Sequence, residues 1–226
     1  MTVSRLCMIG LSLPATLFAV VLILFLALTG PGDLSAFPPA EESLYLLPWL
    51  EGVAYLCVQG VRGVVSHRGA SRYAYDFAMP VGADISAARA GEVTRVVMHH
   101  DGNGYKWPNN VILVRHDDGT AACYAHIKKG GSYVAEGDIV EQGQIIGAAG
   151  NVGNSMMPHL HFHVTDLETR QTLPITFADV SRHAGIPRMF RRYTSRNPVS
   201  IPGVDPNPDD NEKNSASGLV LEKVLE

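Results

Sequence analysis

The sequence predicts a mostly antiparallel β domain, barrel-like or sandwich in form, behind an N-terminal membrane-spanning helix. Three observations carry that expectation. From Val53 onward, short apolar runs of strand length are broken by glycine turns, with no long helical period among them. In Pro158-His159-Leu160-His161-Phe162-His163, histidine alternates with apolar residues. On a strand this puts His159, His161 and His163 on one face and Leu160, Phe162 and Val164 on the other. Finally, Leu6 to Thr29 is nearly all apolar and no charge falls between Arg5 and Asp33, a run long enough to span a bilayer.

Taken in order, residues 1–30 are expected to be a transmembrane anchor or a signal segment. A signal peptide has a shorter apolar region and a small-x-small cleavage site, and a cut after Ala36 would put Leu34 where a small residue is preferred. A retained anchor is therefore the favoured reading, with export after cleavage as the alternative. Arg5 precedes the run while Asp33, Glu41 and Glu42 follow it. That places a single-pass protein in the cytoplasmic membrane, with its domain outside in the cell envelope.

Residues 31–43, rich in Pro, Gly and acidic side chains, read as a linker. Residues 44–194 form the domain and 195–226, rich in Pro, Asn and Asp, a flexible tail. Within the domain the expected strands are Val53–Val58, Ala74–Met79, Gly91–Val97, Asn110–His116, Thr120–His126, Gln144–Ala149 and His159–Asp166. Asp117-Asp118-Gly119 is a hairpin turn in which glycine supplies a positive φ. Ser181 to Tyr193 reads as a short helix or basic loop.

The 226 residues carry 18 Lys and Arg against 22 Asp and Glu, a net charge of −4. With no basic tract, nothing points to nucleic acid. Of the three cysteines, Cys7 lies in the apolar run, without a plausible lipid-attachment box after it. Cys57 and Cys123 lie in strand-like contexts, where a disulfide and two buried thiols are both open readings. The absence of Cys-x-x-Cys excludes a cysteine-based zinc site.

A row of imidazoles on one strand face is a natural start for a metal site. A hydrolytic zinc site uses three protein ligands and one open position. The central stretch can supply two imidazoles at most, so other ligands must come from elsewhere. Two places are suitable: His67 with the following Tyr73-Ala74-Tyr75-Asp76-Phe77, and Tyr124-Ala125-His126.

These motifs, with Asp76-Phe77-Ala78-Met79-Pro80-x-Gly82, Ala87-Ala88-x-x-Gly91-x-Val93 and Gly137-x-x-Val140-x-x-Gly143-Gln144-x-Ile146-Gly147, resemble the lysostaphin/LytM-type zinc metallopeptidases of cell-wall remodelling. They run in the family's order from about Val53 to Asp166. The resemblance implies a duplicated hybrid motif-like fold, a barrel-sandwich hybrid of antiparallel sheets. It implies that His67, Asp76 and His161 bind one Zn2+ and that His126 and His159 are catalytic. The chemistry of the residues agrees: no His-Glu-x-x-His occurs, so imidazoles are the groups available to take a proton from water or steady an oxyanion.

There are departures. Eight residues, Arg68 to Tyr75, separate His67 from Asp76, more than the family's tightest spacing. His163 stands where many relatives carry Glu; its reading is structural, or a support for the site. Met156 and Met157 replace small residues and narrow the expected cleft. His99, His100 and His183 read as loop residues and His116 as structural. Arg182, Arg188, Arg191 and Arg192 form a basic cluster whose first reading is a solvated face.

The function implied is hydrolysis of peptide bonds in peptidoglycan stem peptides or cross-bridges. Rival readings are a peptidase acting on another peptide and a catalytically silent wall-binding regulator; retention of all five site residues argues against the latter. The glycine-spaced Val134 to Gly147 segment also resembles the hairpin of biotinyl- or lipoyl-carrier domains, but no lysine is presented in a tight turn there. The expected partners are a peptide substrate and, through the N-terminal helix, the membrane; no activator is identified. Histidine ligands must be neutral to hold metal, so activity is expected to fall below about pH 5–6.

Overall fold

Eleven strands make up the computed structural model, which describes residues 17–22 and 32–200. They are β1 (Ala54–Gln59), β2 (Tyr75–Ala78), β3 (Asp84–Ser86), β4 (Gly91–Val97), β5 (Val111–Arg115), β6 (Thr120–Ala125), β7 (Ile127–Ser132), β8 (Ile139–Val140), β9 (Ile145–Ala149), β10 (Leu160–Asp166) and β11 (Arg191–Thr194). One sheet has eight strands in the order β11-β1-β2-β10-β6-β5-β4-β8; the other has three, β3-β9-β7. All strand ladders are antiparallel, and neither sheet closes into a barrel.

Local chemistry explains the central pairing. Gly119 takes φ +79 in the Asp117-Asp118-Gly119 turn, and the Asp118 carboxylate accepts from the Thr120 backbone N–H (3.0 Å) and hydroxyl (2.6 Å). That turn returns β5 onto β6. β6 then pairs with β10, which pairs with β2, which pairs with β1. On β10 the alternation holds: Leu160, Phe162 and Val164 are wholly buried and His161 and His163 are partly exposed. Phe162 meets Tyr124 and Phe177 at ring separations of 5.2 and 5.8 Å, and Trp49 meets Phe77 at 4.8 Å. Each such side chain contributes about 1.5–3 kcal/mol by leaving water. This core holds the sheet rigid behind the histidine face.

Several expectations need correction. Residues 191–194 form β11, not helix or loop; the only helical feature in the stretch expected there is a 3-10 turn at His183–Gly185. The cause is non-local: β1 presents an unpaired edge, which β11 fills from Ala54↔Thr194 to Cys57↔Arg191. The domain also extends past its expected limits. Phe37, assigned to the linker, is buried and packs edge-on against Tyr73 at 5.7 Å. Ser195 and Asn197, assigned to the flexible tail, are buried: the Ser195 hydroxyl donates to Trp49 O (2.7 Å) and the Asn197 amide to Leu47 O and Ala87 O (3.1 Å each). Cys57 and Cys123 are free buried thiols on β1 and β6, with β2 and β10 between those strands. Burial raises the pKa of both thiols, that of Cys123 to about 12.

The expected membrane segment lies outside the described residues except for a helical stretch at 17–22. Among the described residues, no helix is long and apolar enough to cross a membrane.

Candidate metal centre

The register of three neighbouring strands sets the site. Asp76 on β2 lies opposite His161 on β10 and opposite Gln59 on β1. The loop between β1 and β2 brings in His67, whose ring is wholly buried. One donor atom each from His67, Asp76 and His161 lies within 4.8 Å of the others. The Asp76 Oδ1 is 3.1 Å from His67 Nε2 and 2.8 Å from His161 Nδ1.

Hydrogen bonds on the far side of each group fix which atom faces inward. His67 Nδ1 lies 2.8 Å from Gly60 O, so its N–H is donated there. Nε2 is then a bare lone pair, buried, without a hydrogen-bond partner, and aimed at a carboxylate oxygen. Two electron-rich atoms 3.1 Å apart in a dry pocket are stabilised by a cation between them. His161 Nε2 lies 3.0 Å from His163 Nδ1, which leaves His161 Nδ1 for the centre. The outer oxygen of Asp76 accepts from Gln59 Nε2 at 2.9 Å, and Gln59 is itself gripped by Ser66 Oγ (2.7 Å) and the Val65 N–H (3.0 Å). Burial alone would raise the Asp76 pKa, but the His161 and His67 rings beside it outweigh that and hold the carboxyl well below its usual range. Two imidazoles and one carboxylate with an open side suit zinc, so the residues present fit the metal that the sequence motifs imply.

His126 and His159 flank this cluster. Their ring centroids are 4.4 Å apart, and that of His126 is 5.9 Å from that of His161. His126 ends β6 with φ +65, a conformation rare for a non-glycine residue, and its N–H donates to Asn109 Oδ1 at 3.0 Å. Its Nδ1 lies 2.7 Å from Val152 O; His159 Nδ1 lies 2.8 Å from Met157 O and 3.1 Å from Ser155 Oγ. Backbone carbonyls thus take the Nδ1 proton of both rings and leave Nε2 as the working nitrogen of each. His159 Nε2 is 3.7 Å from Asp76 Oδ1, on the side of the cluster. Burial, and then His159 alongside, pull the His126 pKa down to about 3. The ring is therefore a neutral base at neutral pH.

All five residues singled out in the sequence converge here. His163 takes a supporting place, its ring against His161; burial, with His161 beside it, lowers its pKa to about 3. His116 lies elsewhere, on Ala90 O at 2.8 Å and against the Tyr45 ring at 5.6 Å. Sequence reasoning missed Gln59, Asn109 and Ser155. Gln59 gave one signal, a polar residue closing an otherwise apolar strand; for the other two the roles emerge only in three dimensions.

The fold and this cluster together define an antiparallel β-sheet protein with a candidate metal centre. Residues 70–173 match the model described as Peptidase family M23, a span that starts just after His67 and encloses the other four site residues. The match covers just under half of the chain. Similar proteins include lysostaphin of Staphylococcus simulans, 35% identical over 94 residues, which cover 42% of this chain and 18% of that protein. Glycyl-glycine endopeptidase ALE-1 of Staphylococcus capitis is 37% identical over 94 residues, 42% of this chain and 24% of ALE-1. Peptidoglycan DD-endopeptidase ShyB of Vibrio cholerae is 34% identical over 101 residues, 45% of this chain and 21% of ShyB. The chain thus spans about a fifth of the length of these relatives.

Proposed function

We propose that this chain is a zinc-dependent endopeptidase that hydrolyses peptide bonds in peptidoglycan, in stem peptides or cross-bridges. The observation that carries the reading is the buried lone pair of His67 facing Asp76, with His161 completing the cluster and two oriented imidazoles beside it. The substrate class is supported by the names of the relatives that act on peptidoglycan and on glycyl-glycine bonds.

In this reading His67 Nε2, Asp76 Oδ1 and His161 Nδ1 hold one zinc per chain. When bound, zinc supplies a Lewis acid and a water of lowered pKa. The chain's own groups handle the protons. His126 Nε2, kept neutral by burial, accepts a proton from the attacking water and returns it to the departing amine. His159 Nε2, beside it, orients the same water or the scissile carbonyl. Gln59 and His163 keep the ligand atoms turned inward. We further propose that the sheets assemble as the barrel-sandwich hybrid implied by the motifs. The uncharged run from Leu6 to Thr29 anchors the domain at the cytoplasmic membrane, facing the wall.

The test is a digest of purified peptidoglycan by the full chain in detergent, followed by mass spectrometry of the released peptides. New peptide ends are expected with zinc and none with excess chelator. His126→Ala should lower the rate about 10²–10⁴-fold without loss of zinc. Zinc-loaded protein that releases no new ends would overturn the assignment in favour of a binding role.

A further inference from the structure

A cavity of about 590 Å³ is lined in part by His67, a residue of the metal centre. Its other side chains include Arg62, Arg68, Arg72 and Gln171, and no acid lines it. Among the described residues Arg89 pairs with Asp117 and Asp118, Arg115 with Glu92, and Lys129 with Asp101, while other basic side chains, Arg95 and Arg170 among them, pair with no carboxylate. Among the described residues, none of the three arginines around His67 pairs with a carboxylate.

The arginines are also held together by the backbone. The Arg62 N–H donates to Arg72 O at 2.7 Å, and Arg62 itself sits at φ +56, a strained conformation for a side-chain-bearing residue. The loop is pinned to the strand-following segment by the Thr172 N–H on Ala70 O (3.2 Å) and the Tyr73 N–H on Thr172 Oγ1 (3.1 Å). The Arg72 guanidinium lies over the Tyr73 ring at 5.6 Å, and the three arginines line the cavity with no acid among its lining residues. An anion in the cavity would meet only positive charge there. Guanidinium groups match a carboxylate in shape and hydrogen-bonding pattern.

We infer that the Arg62–Arg68–Arg72 cavity is a substrate subsite for a free carboxylate lying close to the scissile bond. The preferred substrate is then an acidic stem peptide and not an uncharged glycine bridge. The inference rests on the endopeptidase reading and narrows its substrate class.

The test uses zinc-loaded full-length protein and three soluble probes: a cross-linked stem-peptide dimer with free carboxylates, the same dimer with those carboxylates amidated, and pentaglycine. The wild type should favour the free acid by about tenfold in kcat/KM over the amide, as expected for exposed charge-assisted pairs, and the gap should shrink at high salt. The triple variant R62Q/R68Q/R72Q should lose that ratio, while the charge-preserving R62K/R68K/R72K should keep most of it. Calorimetric binding of the two dimers to His126→Ala gives a readout independent of turnover. Binding that favours the acid without cleavage by the wild type would sink the endopeptidase reading and leave the subsite standing. Cleavage with equal rates for acid and amide, a glutamine variant that still discriminates, or no binding of either dimer would overturn the subsite.

Discussion

Leu160, Phe162 and Val164 on one face of β10, and His161 and His163 on the other, stand between the same hydrogen-bonded neighbours, β2 and β6. Burial acts on the two faces with opposite sign. The apolar face loses its contact with water and stabilises the sheet. The imidazole face gives up hydration, and every ring nitrogen near the centre has to find a partner or stand orphaned. His161 and His163 partner each other, Asp76 is gripped by Gln59, and His67 Nε2 stands orphaned. The strand therefore shows where folding energy is gained and where it is committed to chemistry: the polar face leaves one buried lone pair, on His67, for an electron-poor group to satisfy.

The contrast can be broken from the apolar side. Phe162→Ala removes a wholly buried ring that touches Tyr124 and Phe177. It is expected to lower unfolding free energy by about 3–5 kcal/mol, measured by urea denaturation of the zinc-loaded protein. Folded variant molecules should still bind zinc, because no ligand atom is lost. From the polar side, Gln59→Leu fills similar space and releases the outer oxygen of Asp76. Zinc affinity, measured by competition with a chromophoric chelator, should fall about 10–100-fold, with most of the fold stability retained.

The smallest expected effect concerns pH in zinc-free protein. Burial depresses the pKa values of His126 and His163 to about 3 in the fold, whereas in the unfolded chain they titrate near the ordinary histidine value of 6.5. The unfolded state then binds more protons between those limits, so stability is fully present above about pH 6.5 and declines as pH falls toward 3. The loss should be about 1 kcal/mol per histidine between pH 7.5 and 5.5, seen as a falling urea midpoint. Substituting His126 by Gln should flatten the curve by its share.

The same two faces mark how far the sequence could be read. The alternation at 159–164 exposed both faces of β10, and the Asp-Asp-Gly turn exposed the hairpin, because each signal is local. That His67, Asp76, His126, His159 and His161 would come together was legible because motifs carry them in order. What escaped is set by pairing between distant segments. β11 is a run of Arg191, Arg192, Tyr193 and Thr194 with no strand-like alternation in burial-prone residues; it is a strand because β1 offers it an edge. β7 carries Lys128, Lys129, Gly130 and Gly131, and takes extended form by pairing with β9. Gln59 looks like an ordinary strand end until the register sets it beside Asp76. Phe37, Ser195 and Asn197 sit in segments whose composition reads as linker and tail, and only the buried hydrogen bonds and ring contacts bind them to the domain.

The most direct test of the account is the zinc content of the purified full chain, measured by native mass spectrometry alongside His67→Ala, Asp76→Ala and His161→Ala. The account predicts one zinc in the wild type and none in each variant, with all four proteins folded by circular dichroism. Zinc retained in the three variants, or absent from a folded wild type given stoichiometric metal, would contradict it.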